Sequence, residues 1–273
     1  MISVILPTYN REKTIERAIK SVLNQSYKDI ELIVVDDYSI DNTEMVVKKF
    51  KDKRLKYYKL KKNSGACFAR NYGIEKSKGD YVAFQDSDDE WKIDKLKTQL
   101  ENLRKNDSDL DFCMYEKFDG NQHGIFPSDD IKKRFNKKGI EKALRYGNFI
   151  STQLVLIKKE FLKENKFDIN LPRLQDYDLF LRLSSICKIS FCDEVLVSLY
   201  VQDDSISKST DKLITAVGIM SNKDYKYKKI LMSKLYELIA KSTKDVNIKK
   251  EYYNKSLKEK FDIFTFIKYM LNY

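Results

Sequence analysis

The stretch Tyr81-Val-Ala-Phe-Gln-Asp-Ser-Asp-Asp-Glu-Trp91 decides how the rest of the chain is read. Its apolar run, Tyr81 to Phe84, reads as a buried strand, and three carboxylates, Asp86, Asp88 and Asp89, arrive at its end within four residues. In open α/β sheets ligands bind outside the carboxyl ends of the strands. Carboxylates this close repel one another unless they are solvated or share a cation. Hard oxygen donors suit Mg2+ or Mn2+, which sit on one or two carboxylates plus substrate phosphates. One reading is a metal–diphosphate site. The plainer one is a solvated acidic turn capping a helix that begins near Trp91. The stretch alone leaves both open.

Upstream, strands and helices alternate. Ser3 to Leu6 reads as a short strand stopped by Pro7, and Ile15, Ala18, Ile19, Val22 and Leu23 have the spacing of an amphipathic helix. Glu31 to Val35 is a second buried strand ending in Asp36-Asp37. Asp41 with Glu44 resembles a capping box opening the next helix, and Leu55 to Leu60 is a third strand. Asn63-Ser-Gly65 is a turn before a helix over Ala66–Lys76, with Ala69, Gly73 and Ile74 on one face. Such alternation predicts βαβ units and a mainly parallel sheet.

Downstream is less regular. Leu96, Leu100 and Leu103 form one helical stripe, and the polar span Tyr115 to Lys138 reads as a surface excursion. Thr152 to Ile157 is a strand, Asp176 to Ser185 a helix, and Val195 to Tyr200 another strand. From about residue 210 the pattern is helical, basic and aromatic.

At 273 residues, 42% apolar, the chain suits one large α/β domain with room for an appendage. The start, Met1 to Pro7, reads as a strand and not a signal peptide, and no stretch nears the ~18 apolar residues of a membrane span. Cys67, Cys113, Cys187 and Cys192 lack CxxC spacing and His123 is the single histidine, so zinc is not expected and reduced, cytosolic thiols are. Of the net charge of +11, the segment from Lys223 holds +7, from 13 lysines against six acids.

Taken together, five blocks resemble inverting nucleotide-sugar glycosyltransferases of family 2 over about residues 1–207. They are Ser3 to Asn10, Val34 to Ser39, Asn63 to Gly65 with Ala69-Arg-Asn71, Asp86 to Asp89 with Trp91, and Gln175 to Phe180. The resemblance implies the GT-A fold: α/β, a Rossmann-like α/β/α sandwich around a mixed, mainly parallel sheet. It further implies a catalytic domain over residues 1–210, followed by a basic, aromatic helical region over 211–273. By the same resemblance Pro7, Tyr9 and Asp37 lie around the nucleotide base. Tyr9 can stack on a flat ring and Asp37 can accept the uracil N3–H. Arg70 faces the nucleotide or its phosphates, and Asp86, Asp88 and Asp89 occupy the metal and ribose region, with Asp88 and Asp89 on the Mn2+ or Mg2+. Asp176 corresponds to the catalytic base, and Asp178 is the neighbour most easily confused with it. Two departures stand out: Gln175 replaces an acidic residue, and the segment from Tyr200 to Ser207 lacks the histidine many members carry, Gln202 or Asp203 standing in its place.

The implied activity is transfer of a sugar from a nucleotide donor, a UDP-sugar first, to a saccharide or lipid-linked saccharide in surface polysaccharide or glycolipid assembly. A nucleotidyltransferase or dehydrogenase needs a glycine-rich loop after strand one, where this chain has Pro7 to Glu12. The non-enzymatic alternative is a nucleic-acid- or membrane-binding protein using the basic tail, but no nucleic-acid-binding motif is present and nucleic acid is not expected. The tail either lies on an anionic membrane surface, placing the protein at the inner face, or packs its aromatics on the catalytic domain, in a dimer included.

Overall fold

The computed structural model describes residues 1–120, 122–201 and 209–271. In chain order the elements are β1 (Ile2–Thr8), α1 (Ile15–Leu23), β2 (Ile30–Asp36), α2 (Thr43–Lys48), β3 (Leu55–Lys59), α3 (Ala66–Lys76), β4 (Tyr81–Phe84), β5 (Glu90–Trp91), α4 (Lys95–Lys105), β6 (Leu110–Asp119), β7 (Gln122–Phe126), α5 (Asp129–Lys138), α6 (Ile140–Leu144), β8 (Val155–Lys158), α7 (Glu160–Glu164), α8 (Gln175–Leu183), β9 (Ile189–Tyr200), α9 (Thr210–Ser221), α10 (Lys228–Ser242), α11 (Val246–Glu259) and α12 (Ile263–Met270). They divide into two compact units.

The first unit comprises Met1–Ser128, Ile150–Ile169 and Ile186–Asp203 and holds a nine-stranded sheet of order β3-β2-β1-β4-β8-β6-β9-β5, with β7 on β6. The β3-β2-β1-β4 half is parallel, while β8 runs antiparallel to both β4 and β6. β1 and β2 are buried at every residue, as strands covered on both faces must be. Their register sets Thr8 beside Asp36 and Ile5 beside Phe84, so β1 and β2 end level and β4 ends three residues sooner at the same edge, where the acids emerge. Gly73 lets α3 approach β1 closely: a Cβ there would meet Ile5 Cγ2 at 2.4 Å.

Several expectations need correction. Pro7 does not stop β1. The Ile5 carbonyl accepts from Gln85 N–H, so Pro7, two residues on, faces the β4 side, where pairing has already ended and no donor is missed. No helix begins near Trp91: Glu90 and Trp91 form a short strand on β9, and the helix starts at Lys95. Glu44 does not close a capping box, pairing instead with Lys48 and Lys59, while Asp41 accepts from Thr43. Thr152 to Leu154 is a 3-10 turn ahead of β8. The Tyr115–Lys138 span is no loop but the end of β6, a hairpin to β7, and α5. Rings pair across the hairpin, Tyr115 on Phe126 at 5.3 Å and Phe118 on His123 at 4.9 Å.

The second unit, Asp129–Phe149, Asn170–Ser185 and Asp204–Tyr273, is helical. Arg145, fully buried, donates through Nε to the Lys226 carbonyl at 2.8 Å and through Nη1 to Ser184 Oγ at 3.4 Å. Five-donor guanidinium geometry suits such a cross-tie between three segments. In the tail, α9 packs on α10, α10 on α11, and α11 on α12. Among the described residues no helix is long and apolar enough to cross a membrane.

Candidate active site

In the first unit the acidic segment leaves β4 as a constrained turn. Gln85, fully buried, donates through Nε2 to the Asp89 carbonyl at 2.8 Å and so closes the turn on itself. Arg17 of α1 donates to the Asp88 carbonyl, and its guanidinium lies 3.9 Å over the Tyr200 ring. Asp89 is 3% exposed, and both carboxylate oxygens are occupied: Oδ1 accepts from Tyr200 N–H at 3.0 Å and Oδ2 from Gln153 Nε2 at 3.2 Å. Burial, with the Asp86 and Asp88 carboxylates adding to it, holds Asp89 well above the usual carboxylate range, against the pull of Tyr200 N–H and Arg17. The acidic stretch is thus no solvated cap. Asp88 is half-buried beside it, and Asp86 pairs with Arg70 at 2.8 Å, Arg70 lying over the Phe167 ring at 5.5 Å.

The ends of β1 and β2 form a second wall. Asp37 is buried and accepts from the N–H groups of Ser64 and Gly65, both at 2.7 Å. Gly65, the N-cap of α3, has φ +89°, a region glycine adopts without steric cost. Burial pushes the Asp37 carboxyl up while the two amides pull it down. Asn10, at φ 50°, accepts from Ile40 N–H at 3.0 Å and binds Ser39 Oγ through its own N–H at 2.9 Å. Glu12 accepts from Asn42, and Arg11 N–H donates to Thr43 Oγ1, so the two loops are stitched together. Tyr9 stands out of this frame at 41% exposure, and Tyr38, just past the end of β2, is also exposed. Pro7, buried in β1, shapes the wall without offering a polar group.

A divalent cation fits what is present. Among the described residues no three carboxylate, histidine or cysteine side chains converge. A cation held here would therefore rest on one or two carboxylates plus substrate oxygens, the manner in which Mg2+ is commonly held with phosphates. Two buried polar atoms at these strand ends, Thr8 Oγ1 and Gln85 Oε1, also have no partner among the described residues. Gln202 and Asp203 lie outside the described residues.

In the second unit the two aspartates of α8 differ sharply. Asp178 is fully buried, accepting from Arg182 Nη2 at 2.8 Å, Lys223 Nζ at 2.7 Å and the Tyr225 hydroxyl. Asp176 is half-buried, accepting from Tyr177 N–H at 2.7 Å and from Asn148 Nδ2 at 3.2 Å. Leu174 holds the left-handed conformation, φ 61°, at the entry to this helix. Backbone held in a sparsely populated region tends to cluster at functional sites.

Arg17, Gln153 and Tyr200 were not evident from the sequence, because each looks like an ordinary polar position on its element. A separate cleft of about 430 Å3 opens at the amino end of β4, lined by Lys78, Asp80, Lys158, Lys159 and Lys163 among others. Lys158 is committed to Asp109 and Lys159 to the Ser77 carbonyl there.

A parallel β3-β2-β1-β4 half, continued by antiparallel and parallel partners and carrying acids at its strand ends, defines the GT-A class. The solved structure of Staphylococcus aureus TarS residues 1–349 with UDP-GlcNAc has the same fold, at TM-score 0.71 and 21% identity, over 93% of this chain and 81% of that one. The chain belongs to glycosyl transferase family 2, whose model matches residues 3–165. An uncharacterized glycosyltransferase of Haemophilus influenzae is 36% identical over 80% of this chain and 85% of its own length. An Escherichia coli protein named UDP-Glc:alpha-D-GlcNAc-diphosphoundecaprenol beta-1,3-glucosyltransferase is 40% identical over 44% of this chain and 48% of its own.

Proposed function

We propose that this glycosyltransferase moves a sugar from a UDP-sugar to a hydroxyl of a saccharide or lipid-linked saccharide, with inversion, in the assembly of a surface polysaccharide or glycolipid. The observation that carries the reading is the contrast within α8: Asp178 is sealed by three partners, while Asp176 keeps a partly open carboxylate in the helix's first turn. An inverting transfer needs one such base and no covalent nucleophile.

In this reading Asp176 takes the proton of the acceptor hydroxyl as that oxygen bonds to the anomeric carbon. The bond from that carbon to the diphosphate oxygen breaks on the opposite face, and the electron pair leaves with the nucleoside diphosphate. Pro7, Tyr9 and Asp37 line the base, Tyr9 by stacking; Asp37 has two lone-pair directions left after its two amide bonds. Arg70 and Asp86 sit on the nucleotide side as a charge-balanced pair. Mn2+ or Mg2+, when bound, offsets the negative charge growing on the departing diphosphate. Asp88 is the accessible carboxylate for it, and Asp89 backs that position from its buried anchor. The UDP donor and diphosphoundecaprenol acceptor in the name of the Escherichia coli relative support the same donor and acceptor classes.

Calorimetric titration with UDP-, GDP- and dTDP-sugars, with and without Mn2+, tests the donor side. One UDP-sugar is expected to bind in a metal-dependent way and to lose about tenfold or more in affinity in Asp88→Asn, as for a charge-assisted contact. Metal-independent binding, or binding untouched by that substitution, overturns the assignment of the acidic segment.

A further inference from the structure

α12 is built inside out. On a helix of 3.6 residues per turn, Ile263, Phe264, Phe266, Ile267, Met270 and the following Leu271 fall within one arc of about 160°. All six are exposed, Phe264 to 71% and Leu271 to 80%. Phe261, just before the helix, is 66% exposed and its ring lies 5.9 Å from that of Phe266. The polar side is the one that packs. Thr265 is buried and hydrogen-bonded to the N-cap Asp262, and Lys268 Nζ reaches Glu237 Oε1 of α10 at 3.0 Å. A helix of a water-soluble unit ordinarily presents these faces the other way round.

The surroundings say what meets the apolar face. Lys258 and Lys260, immediately before the helix, are exposed. From Lys223 onward 13 lysines face six acids. Two copies of so positive a surface repel one another on approach, whereas an anionic bilayer supplies negative headgroups to the lysines and an acyl boundary to the phenylalanines. We infer that α12 and the lysines beside it form a docking surface for an anionic lipid bilayer, the helix lying in the interface plane. The inference is independent of the transfer chemistry.

Sedimentation of the full chain with vesicles tests it. Phosphatidylcholine vesicles enriched in phosphatidylglycerol are expected to carry the protein down at low salt and to release it as salt screens the charges, while pure phosphatidylcholine carries far less. Phe264→Glu with Ile267→Glu places charge on exposed positions and leaves the packed face intact. It is expected to cut partitioning by about tenfold or more, with the thermal unfolding curve unchanged. Lys258→Glu with Lys260→Glu is expected to weaken the salt-sensitive part alone. Absence of sedimentation, or equal sedimentation of the apolar variant, overturns the inference. So does a dimer in sedimentation velocity that the apolar variant abolishes, which assigns the face to a second copy.

Discussion

Asp176 and Asp178 are separated by a single residue on one helix, yet Asp178 is fully buried among three partners and Asp176 is half-buried. Asp178→Asn leaves Arg182 and Lys223 with a neutral acceptor in place of a buried carboxylate, a loss of about 1.5–3 kcal/mol for hydrogen bonds to charged groups. A fall in Tm with donor binding retained is expected, and an unchanged Tm contradicts the structural role of this carboxylate. Glu237 behaves in a related way. Burial pushes its carboxyl up, but Lys234, Lys241 and Lys268 outweigh this and hold it at about 2, below its ordinary value of 4.5. A carboxylate depressed in the folded state contributes stability that is fully present above its unfolded value and is lost as pH falls toward the folded one. Between pH 5 and pH 2, therefore, the wild type is expected to lose more stability than Glu237→Gln. Parallel acid-unfolding curves for the two proteins contradict it.

Among the elements, the βαβ half was the most legible in the sequence, because β1, β2 and β4 are largely apolar and α1 keeps its 3.6-residue spacing, although β3 carries lysines at Lys56 and Lys59 and is only half-buried. Gly73 shows how tightly that pattern is used. Gly73→Ala drives a Cβ into the β-branched Ile5 side chain on the central strand, and overpacking of this kind costs about 1–3 kcal/mol; chemical denaturation reads it as a lower midpoint with an unchanged slope. The β6–β7 hairpin was not legible, since Glu116, Lys117 and Asp119 make its sequence look like a loop. The ring pairs that close it, Tyr115 on Phe126 and Phe118 on His123, are interleaved with charged residues, so no apolar period announces them. In the site, the carboxylates stood out by spacing, but Arg17 did not. The one hint lies in composition: arginines number nine among 52 basic residues, and three of the nine, Arg17, Arg70 and Arg145, make cross-ties that a lysine point charge makes poorly.

At the scale of the whole molecule, the proposed nucleotide-side residues belong to the sheet-based unit and the proposed base to the helical unit. One carries the tyrosine and the carboxylates expected around a nucleotide diphosphate, and the other the carboxylate expected to meet an acceptor. The net charge of +11 is concentrated in the second, toward its end. If transfer occurs on lipid-linked acceptors, activity toward such acceptors in anionic vesicles is expected to drop when α12 loses its apolar face, while release of nucleotide to water does not. The claim on which the rest depends is that Asp176 is the base for transfer from a nucleotide sugar. It is tested most directly by the rate of nucleotide release from the preferred donor in wild type and Asp176→Asn, with donor affinity measured alongside. A fall of about 10²–10⁴ in rate is expected, the usual contribution of general base catalysis, with donor affinity nearly unchanged. Equal rates in the two proteins contradict it.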